Sequence, residues 1–284
     1  PQWQWPVEIA SVAGNKVTLA QPLRLDIRPE WAVALRDPGP FVQEAGVEQL
    51  QILLPSPREH KHLNSVGWNG VCFSRAFNCW ASDVQITGAE NPVIFSAAKN
   101  CTAQGLQIDG ESMNHHSVAI RVNSHDNLVQ DFDVSGMWRV KHGINIEWFS
   151  SGNVYSRGKM SKGTFDSHRA LGFDLIRTEI TLANEADGPG GAGQAGPYAG
   201  ARVVHWNIKI ENSSRPDPGE FVFMPETFPR GAFVGIQGAA PTATVRDSVP
   251  GNKQNVIADA GKLPNIANLY QAQLKLRLGK DAAK

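Results

Sequence analysis

Five of the eight histidines lie between residues 115 and 168, and four of them stand in three short runs, His115-His116, Lys141-His142 and Asp166-Ser167-His168-Arg169. With Arg121, Glu147 and Asp174 they make a set suited to proton transfer. An imidazole titrates near neutrality and stays a usable base beside a permanently charged arginine. Two reactions fit. In β-elimination of a uronate, His142 or His168 (or Lys141, if desolvation lowers its pKa) would remove the proton beside the carboxylate, while Arg121 and Arg169 clamp that carboxylate. In glycoside hydrolysis, Glu147 and Asp174 would act as acid and nucleophile, at a spacing of about 5 Å that suits retention. The excess of His and Arg over carboxylates favours elimination. Asp166 would fix the tautomer of His168 and raise its basicity; a hydrogen-bonded turn is the plainer role for the same residues. Trp138 and Trp148 would stack on sugar rings or pack in the core.

Other chemistries lack their residues. There is no GxSxG nucleophile motif, and the glycine-rich stretch 187–200 has neither the preceding strand nor the Lys of a phosphate-binding loop. No cofactor is expected. A metal site built from His116, His142 and His168 is not expected either, because ligands on successive coils would stand too far apart. Cys72, Cys79 and Cys101 contain no CxxC pair and are too few for a disulfide framework.

The elements that must position these residues repeat along the chain. VCFSRAF from Val71, VIFSAAK from Val93, VAIRVNS from Val118, INIEWFS from Ile144 and LGFDLIR from Leu171 align, their starts 22, 25, 26 and 27 residues apart. Each alternates with period two, so Val71/Phe73, Val93/Phe95, Val118/Ile120, Ile144/Ile146 and Leu171/Phe173 form an apolar column. A second strand-like piece ends at Ile86, Ile108, Val134 and Met160, with an earlier copy ending at Ile52 and a later one at Ile210. A period of 22–27 with short strands predicts a solenoid of β-coils. Equivalent side chains then stack about 4.8 Å apart. One column reads Ser74, Ser96, Arg121, Glu147, Asp174, with parity opposite to the core and so facing solvent. Two others read Asn69, Asn91, His116, His142, Arg169 and Trp68, Glu90, His115, Lys141, His168. In these columns the first two coils carry Ser, Asn, Trp68 and a single acid, Glu90, whereas the next three carry His, Lys, Arg, Glu and Asp. Asn78, Asn100, Asn127 and Asn153 precede the second strand and are expected to ladder, and Cys79 and Cys101 should stack.

Coils of this length with an Asn ladder resemble the right-handed parallel β-helix of pectate-lyase-like proteins, over residues 45–212. The opening VEIASVAGNKVTLAQPLRLDI resembles the strand-rich lead-in of secreted members, and PNIANLYQAQLKLRLG resembles a tail found among them. Asp166-Ser167-His168-Arg169, following His142-Gly143-Ile144, resembles a turn in some secreted β-helix proteins. The resemblance implies an all-β, carbohydrate-active, extracellular protein. Neither the catalytic motifs of the best-known pectate lyases nor the paired Asp of polygalacturonases is present, so it implies an architecture rather than one reaction.

Charge and length agree. Lys+Arg and Asp+Glu number 27 each, which gives no global field for a polyanion and excludes nucleic acid as the expected partner. No apolar run has the roughly 18 residues of a membrane span. One domain is expected: an N-terminal β region (1–45) with a turn at Gly14-Asn15, coils (45–212), then an irregular flank and tail (213–284) ending in a short helix near Ile266–Leu278. The start at Pro1, without Met or leader pattern, reads as a processed or truncated chain, and the sequons at Asn100 and Asn212 are compatible with secretion. The expected partner is an acidic polysaccharide along the face carrying His116, Arg121, Lys141, His142, His168 and Arg169.

Overall fold

The computed structural model describes residues 2–55, 68–168, 170–185, 199–211, 228–238 and 255–279, apart from the side chains of 112, 113 and 138. The strands, in order, are β1 (Ile9–Ala13), β2 (Lys16–Leu19), β3 (Val42–Gln43), β4 (Gly46–Leu53), β5 (Asn69–Ser74), β6 (Ala76–Phe77), β7 (Trp80–Thr87) and β8 (Asn91–Ser96). They continue with β9 (Thr102–Arg121), β10 (Leu128–Glu147), β11 (Val154–Met160), β12 (Thr164–His168), β13 (Leu175–Leu182), β14 (Val203–Ile210), β15 (Ala232–Gln237) and β16 (Val256–Ala258). One helix, α1 (Leu269–Leu278), follows. Apart from the antiparallel hairpin β1–β2, whose turn is Gly14-Asn15, the strand pairings are parallel. The chain is an all-β parallel solenoid with a short C-terminal helix.

Three ladders make its faces. The first runs β4-β7-β9-β10-β11-β13-β14-β15-β16. The second runs β5-β8-β9-β10-β12, the 20-residue strands β9 and β10 bending to serve both. The third is thin: β3 on β6, then single bridges Phe77–Lys99–His125–Ser151–Phe173. The first ladder passes residue 212, since β15 and β16 add to it in register, so the coils extend into the segment expected to be flank.

On the second face, Val71, Val93, Val118 and Ile144 stack as expected. The fifth place belongs to Phe165, not Leu171. The coil from Ile144 is shorter than its predecessors, and Leu171 lies in a turn at φ 58. Its neighbour Phe173 packs on the third face, bridging Ser151. This six-residue slip matters for the site. Stacked Val, Ile and Phe from all faces fill the interior, each buried side chain contributing about 1.5–3 kcal/mol.

The asparagine ladder is offset by one residue from its expected place. Glu44, Asn78, Asn100, Asp126, Gly152 and Asp174 form a column of left-handed residues where each coil turns. The next position carries Cys79, Cys101, Asn127 and Asn153. Here Asn127 donates to Asn153 Oδ1 (2.9 Å) and accepts from the Cys101 amide (2.9 Å). Cys79 and Cys101 do stack, in free thiol form, and burial pushes the Cys101 thiol up to about 12.

Two chain ends lie against the solenoid. At the N-terminus, Trp3 and Trp5 stack on each other and Trp5 covers Lys99, which is 3% exposed and paired with Asp126. His125 Nε2 donates to the Gln4 carbonyl (2.7 Å) and Nδ1 accepts from the Ser151 hydroxyl (2.9 Å). At the C-terminus, the segment before α1 crosses the first face backwards. Ile266 and Ala267 accept from Trp206 and Asn207, Asn268 donates to Ser156 and Glu179, and the Leu269 amide donates to Thr178.

Burial pushes the His125 imidazole down to about 3, with Lys99 and Arg24 adding to the effect. The unfolded chain takes a proton near the ordinary pKa of about 6.5, the native one only near 3. The stabilisation is therefore complete above pH 6.5 and is lost as pH falls, by at most about 1.4 kcal/mol per pH unit. His205, lowered for the same reason, adds in the same direction. Urea denaturation of wild type and His125→Gln between pH 7 and 5 should give a steeper loss for wild type. Equal slopes would mean that His125 is not held neutral.

Candidate active site at the bend of the third to fifth coils

The cluster forms where β9 and β10 bend from the first face to the second. Between the pairs Val140–Asn114 and Gly143–His116, β10 places Lys141 and His142 opposite the single residue His115. Between Gly143–His116 and Ile144–Val118, β9 has Ser117 without a counterpart. These two compensating bulges re-aim the side chains on either side, as bulges do. Gly143 makes them possible: it lies at φ 136, and a Cβ there would strike the Thr164 backbone.

The result is a nest of imidazoles. His115 and His116 stack with centroids 4.2 Å apart, and His142 lies 5.2 Å from each. His168 is 5.8 Å from His142 and 6.1 Å from His116. Beneath them, Asp166 Oδ2 accepts from His116 Nε2 (2.9 Å) and Asn145 Nδ2 (2.6 Å), with His168 Nδ1 at 3.7 Å. Asp166 Oδ1 is buried without a hydrogen-bond partner among the described residues. Burial raises the Asp166 carboxyl above the ordinary range, opposed by His142, His168, Asn145 and Arg177. Ligand atoms of His115, His116 and His142 lie within 4.8 Å of one another, as do those of His116, Asp166 and His168. The triad His116, His142 and His168 considered from the sequence is not one of these two groups; the bulges and the length of the ring side chains bring together the other combinations instead.

Exposure divides the expected site residues. His115, His116, His142 and Glu147 are buried, against the expectation of a solvent-facing column, and Asp166 is fully so. His168 keeps 17% of its side chain exposed. Lys141 and Arg121 are half-buried, and Trp148 is exposed in the turn after β10. The column expected to read Ser74, Ser96, Arg121, Glu147, Asp174 ends in His168, since Glu147 pairs with His168 in register. Asp174 is elsewhere. Its carboxylate takes Arg202 (3.0 Å) and Arg24, in a separate cleft of about 640 Å³ also lined by Trp5, Leu23 and Arg277. The Glu147/Asp174 pair expected for hydrolysis is therefore not assembled by stacking. Arg169 and the side chain of Trp138 lie outside the described residues.

Asn145, Tyr155, Arg177 and His205 escaped the sequence reading. The last three form an interior polar column behind the cluster. Tyr155 donates to the Asn145 carbonyl (2.7 Å), while Arg177 donates to the Asp166 carbonyl (3.0 Å), to Ser167 and to His205 Nε2 (2.9 Å), its guanidinium over Phe165. Burial lowers the Arg177 pKa to about 10, which leaves it cationic at neutral pH. The alignment placed Arg177 in the first-strand copy LGFDLIR, so it is the strand pairing that sets Tyr155, Arg177 and His205 in one column.

Residues 139–283, just over half of the chain, match the family described as a domain of unknown function, DUF4955. The chain belongs to this family. The matched span contains His142, Asp166, His168 and Arg177, whereas His115 and His116 precede it. No curated protein and no solved structure matches the chain.

Proposed function

We propose that the protein is a polysaccharide lyase that cleaves a uronate-containing glycan by β-elimination along the second face of the solenoid. The observation that carries this reading is the His168–Asp166 arrangement. It sets one partly exposed imidazole, braced from beneath by a buried carboxylate, at the end of the column that also holds Arg121 and Glu147. His168 would take the proton from the carbon bearing the uronate carboxylate. The electron pair passes into the carboxylate as an enolate; its collapse forms a C=C bond and expels the glycosidic oxygen, which recovers the proton. Arg121 and Lys141 supply positive charge for the carboxylates of neighbouring sugars, and Trp148 offers a ring to a sugar face. Solenoid coils let an extended chain make many modest contacts instead of filling one deep pocket. The parallel fold supports kinship with pectate-lyase-like proteins, and secretion belongs to the same proposal. Asp174 does not stack on Glu147, so the hydrolase alternative loses support in the form that uses that pair.

Incubation with a panel of uronate-rich and neutral polysaccharides tests this. The expected result is the ultraviolet chromophore of an unsaturated uronate from an acidic glycan. New reducing ends without that chromophore would replace elimination with hydrolysis, and binding without cleavage would make the face a glycan-binding surface.

A further inference from the structure

We infer that His115, His116 and His142 form a binding site for one divalent transition-metal cation, with Zn2+ the best match. Three imidazoles from two adjacent coils present ligand atoms within 4.8 Å of one another. All three are buried, so the donor set is shielded from bulk water and its first two members are consecutive in sequence on one strand. Imidazole is the donor common to Zn2+, Co2+, Ni2+ and Cu2+, and oxygen-seeking Ca2+ or Mg2+ would find no matching set. Zn–N bonds of about 2.0–2.1 Å place tetrahedral nitrogens about 3.3 Å apart, so the three rings, whose ligand atoms lie within 4.8 Å, would draw together on binding. Three protein ligands leave a fourth position for water or substrate, the pattern of a catalytic rather than a structural ion.

The tautomer of His116 agrees with this role. A carboxylate only accepts, so Nε2, which faces Asp166 Oδ2 at 2.9 Å, carries the hydrogen. Ligation then falls to Nδ1. A metal-bound histidine commonly donates its other N–H to a carboxylate, which orients the ring and strengthens the ligand. Asp166 is fully buried and also held by Asn145, so it is a fixed brace for His116. The second possible triad, His116, Asp166 and His168, would use that same carboxylate as a ligand instead of a brace. The two arrangements predict different mutational outcomes.

The site stands whether or not the protein is a lyase, and its test does not use activity. Metal-free full-length protein is titrated with Zn2+, and separately with Co2+ for its visible absorption. The expected result is one ion per chain and a Co2+ spectrum typical of low coordination. His115→Ala and His142→Ala should weaken Zn2+ binding about 100-fold or more. Asp166→Asn should cost about 10–100-fold by removing the brace, and His168→Ala should leave affinity near wild type. Circular dichroism of each metal-free variant separates loss of ligand from loss of fold; His115→Gln and the wild-type Co2+ spectrum decide the matter if an alanine variant unfolds. No stoichiometric binding by the wild-type protein, or loss of binding in His168→Ala with retention in His115→Ala, would overturn the inference.

Discussion

His168→Ala is expected to lower the rate of unsaturated-product formation by about 100-fold or more, the usual worth of a general base, while the melting temperature stays nearly unchanged. The side chain stands at the last position of β12 and is partly exposed, so removing it opens no cavity inside the solenoid. Asp166→Asn should behave differently. It keeps the shape beside Asn145 but loses the charge that braces both His116 and His168. Its rate should fall as well, and its stability should change, because a buried group with several partners has been altered. Kinetics on the glycan identified by the panel, beside thermal denaturation of both variants, checks the pair. Full turnover in His168→Ala would remove it from the reaction and with it the proposed mechanism.

Arg177→Ala should produce the largest loss of stability, about 3–5 kcal/mol. Truncation empties a large, fully buried volume and strands the Asp166 carbonyl and His205 Nε2 in the interior. For a chain of this size that corresponds to a fall of roughly 10 °C in melting temperature. Arg177→Met keeps most of the volume and removes the desolvated charge, so it should cost less than Ala, as apolar replacement of buried ions often does. Denaturant titration of both variants measures the difference. Equal losses would assign the whole effect to the hydrogen bonds, and no loss in either would make the interior polar column dispensable.

The parts of this molecule that follow period-two alternation were legible in its sequence. Val71, Val93, Val118 and Ile144 stack as read, as do Cys79 and Cys101, because inward-facing side chains on a parallel ladder must be apolar or small. Leu171 misled because an apolar residue in a left-handed turn has the same letter as one in a strand, and the short coil from Ile144 placed FDSH, not LGFD, above Ile144. Arg177 was invisible for the opposite reason. Alternation rules send a charged residue outward, and only its partners inside reveal the exception. The histidine cluster lay between these cases. Its members were named from adjacent coils, but their convergence depends on two bulges and on Gly143, which shift register without changing composition.

The strap that precedes α1 has a consequence for how the chain can assemble. A solenoid is close to one-dimensional: each coil touches its neighbours, and order can spread from any starting point. Here residues 266–269 reach back from the final coils to Ser156, Thr178 and Trp206, which ties together units that otherwise communicate only through those between them. Loop closure of this kind carries an entropic cost that only long-range contacts repay. During vectorial synthesis the strap emerges after the coils it touches, so the coils that carry Asp166, His168 and Arg177 are complete in sequence before they can be locked. Native topology is thereby sealed from the C-terminal end, as a latch closes a stack that has already formed.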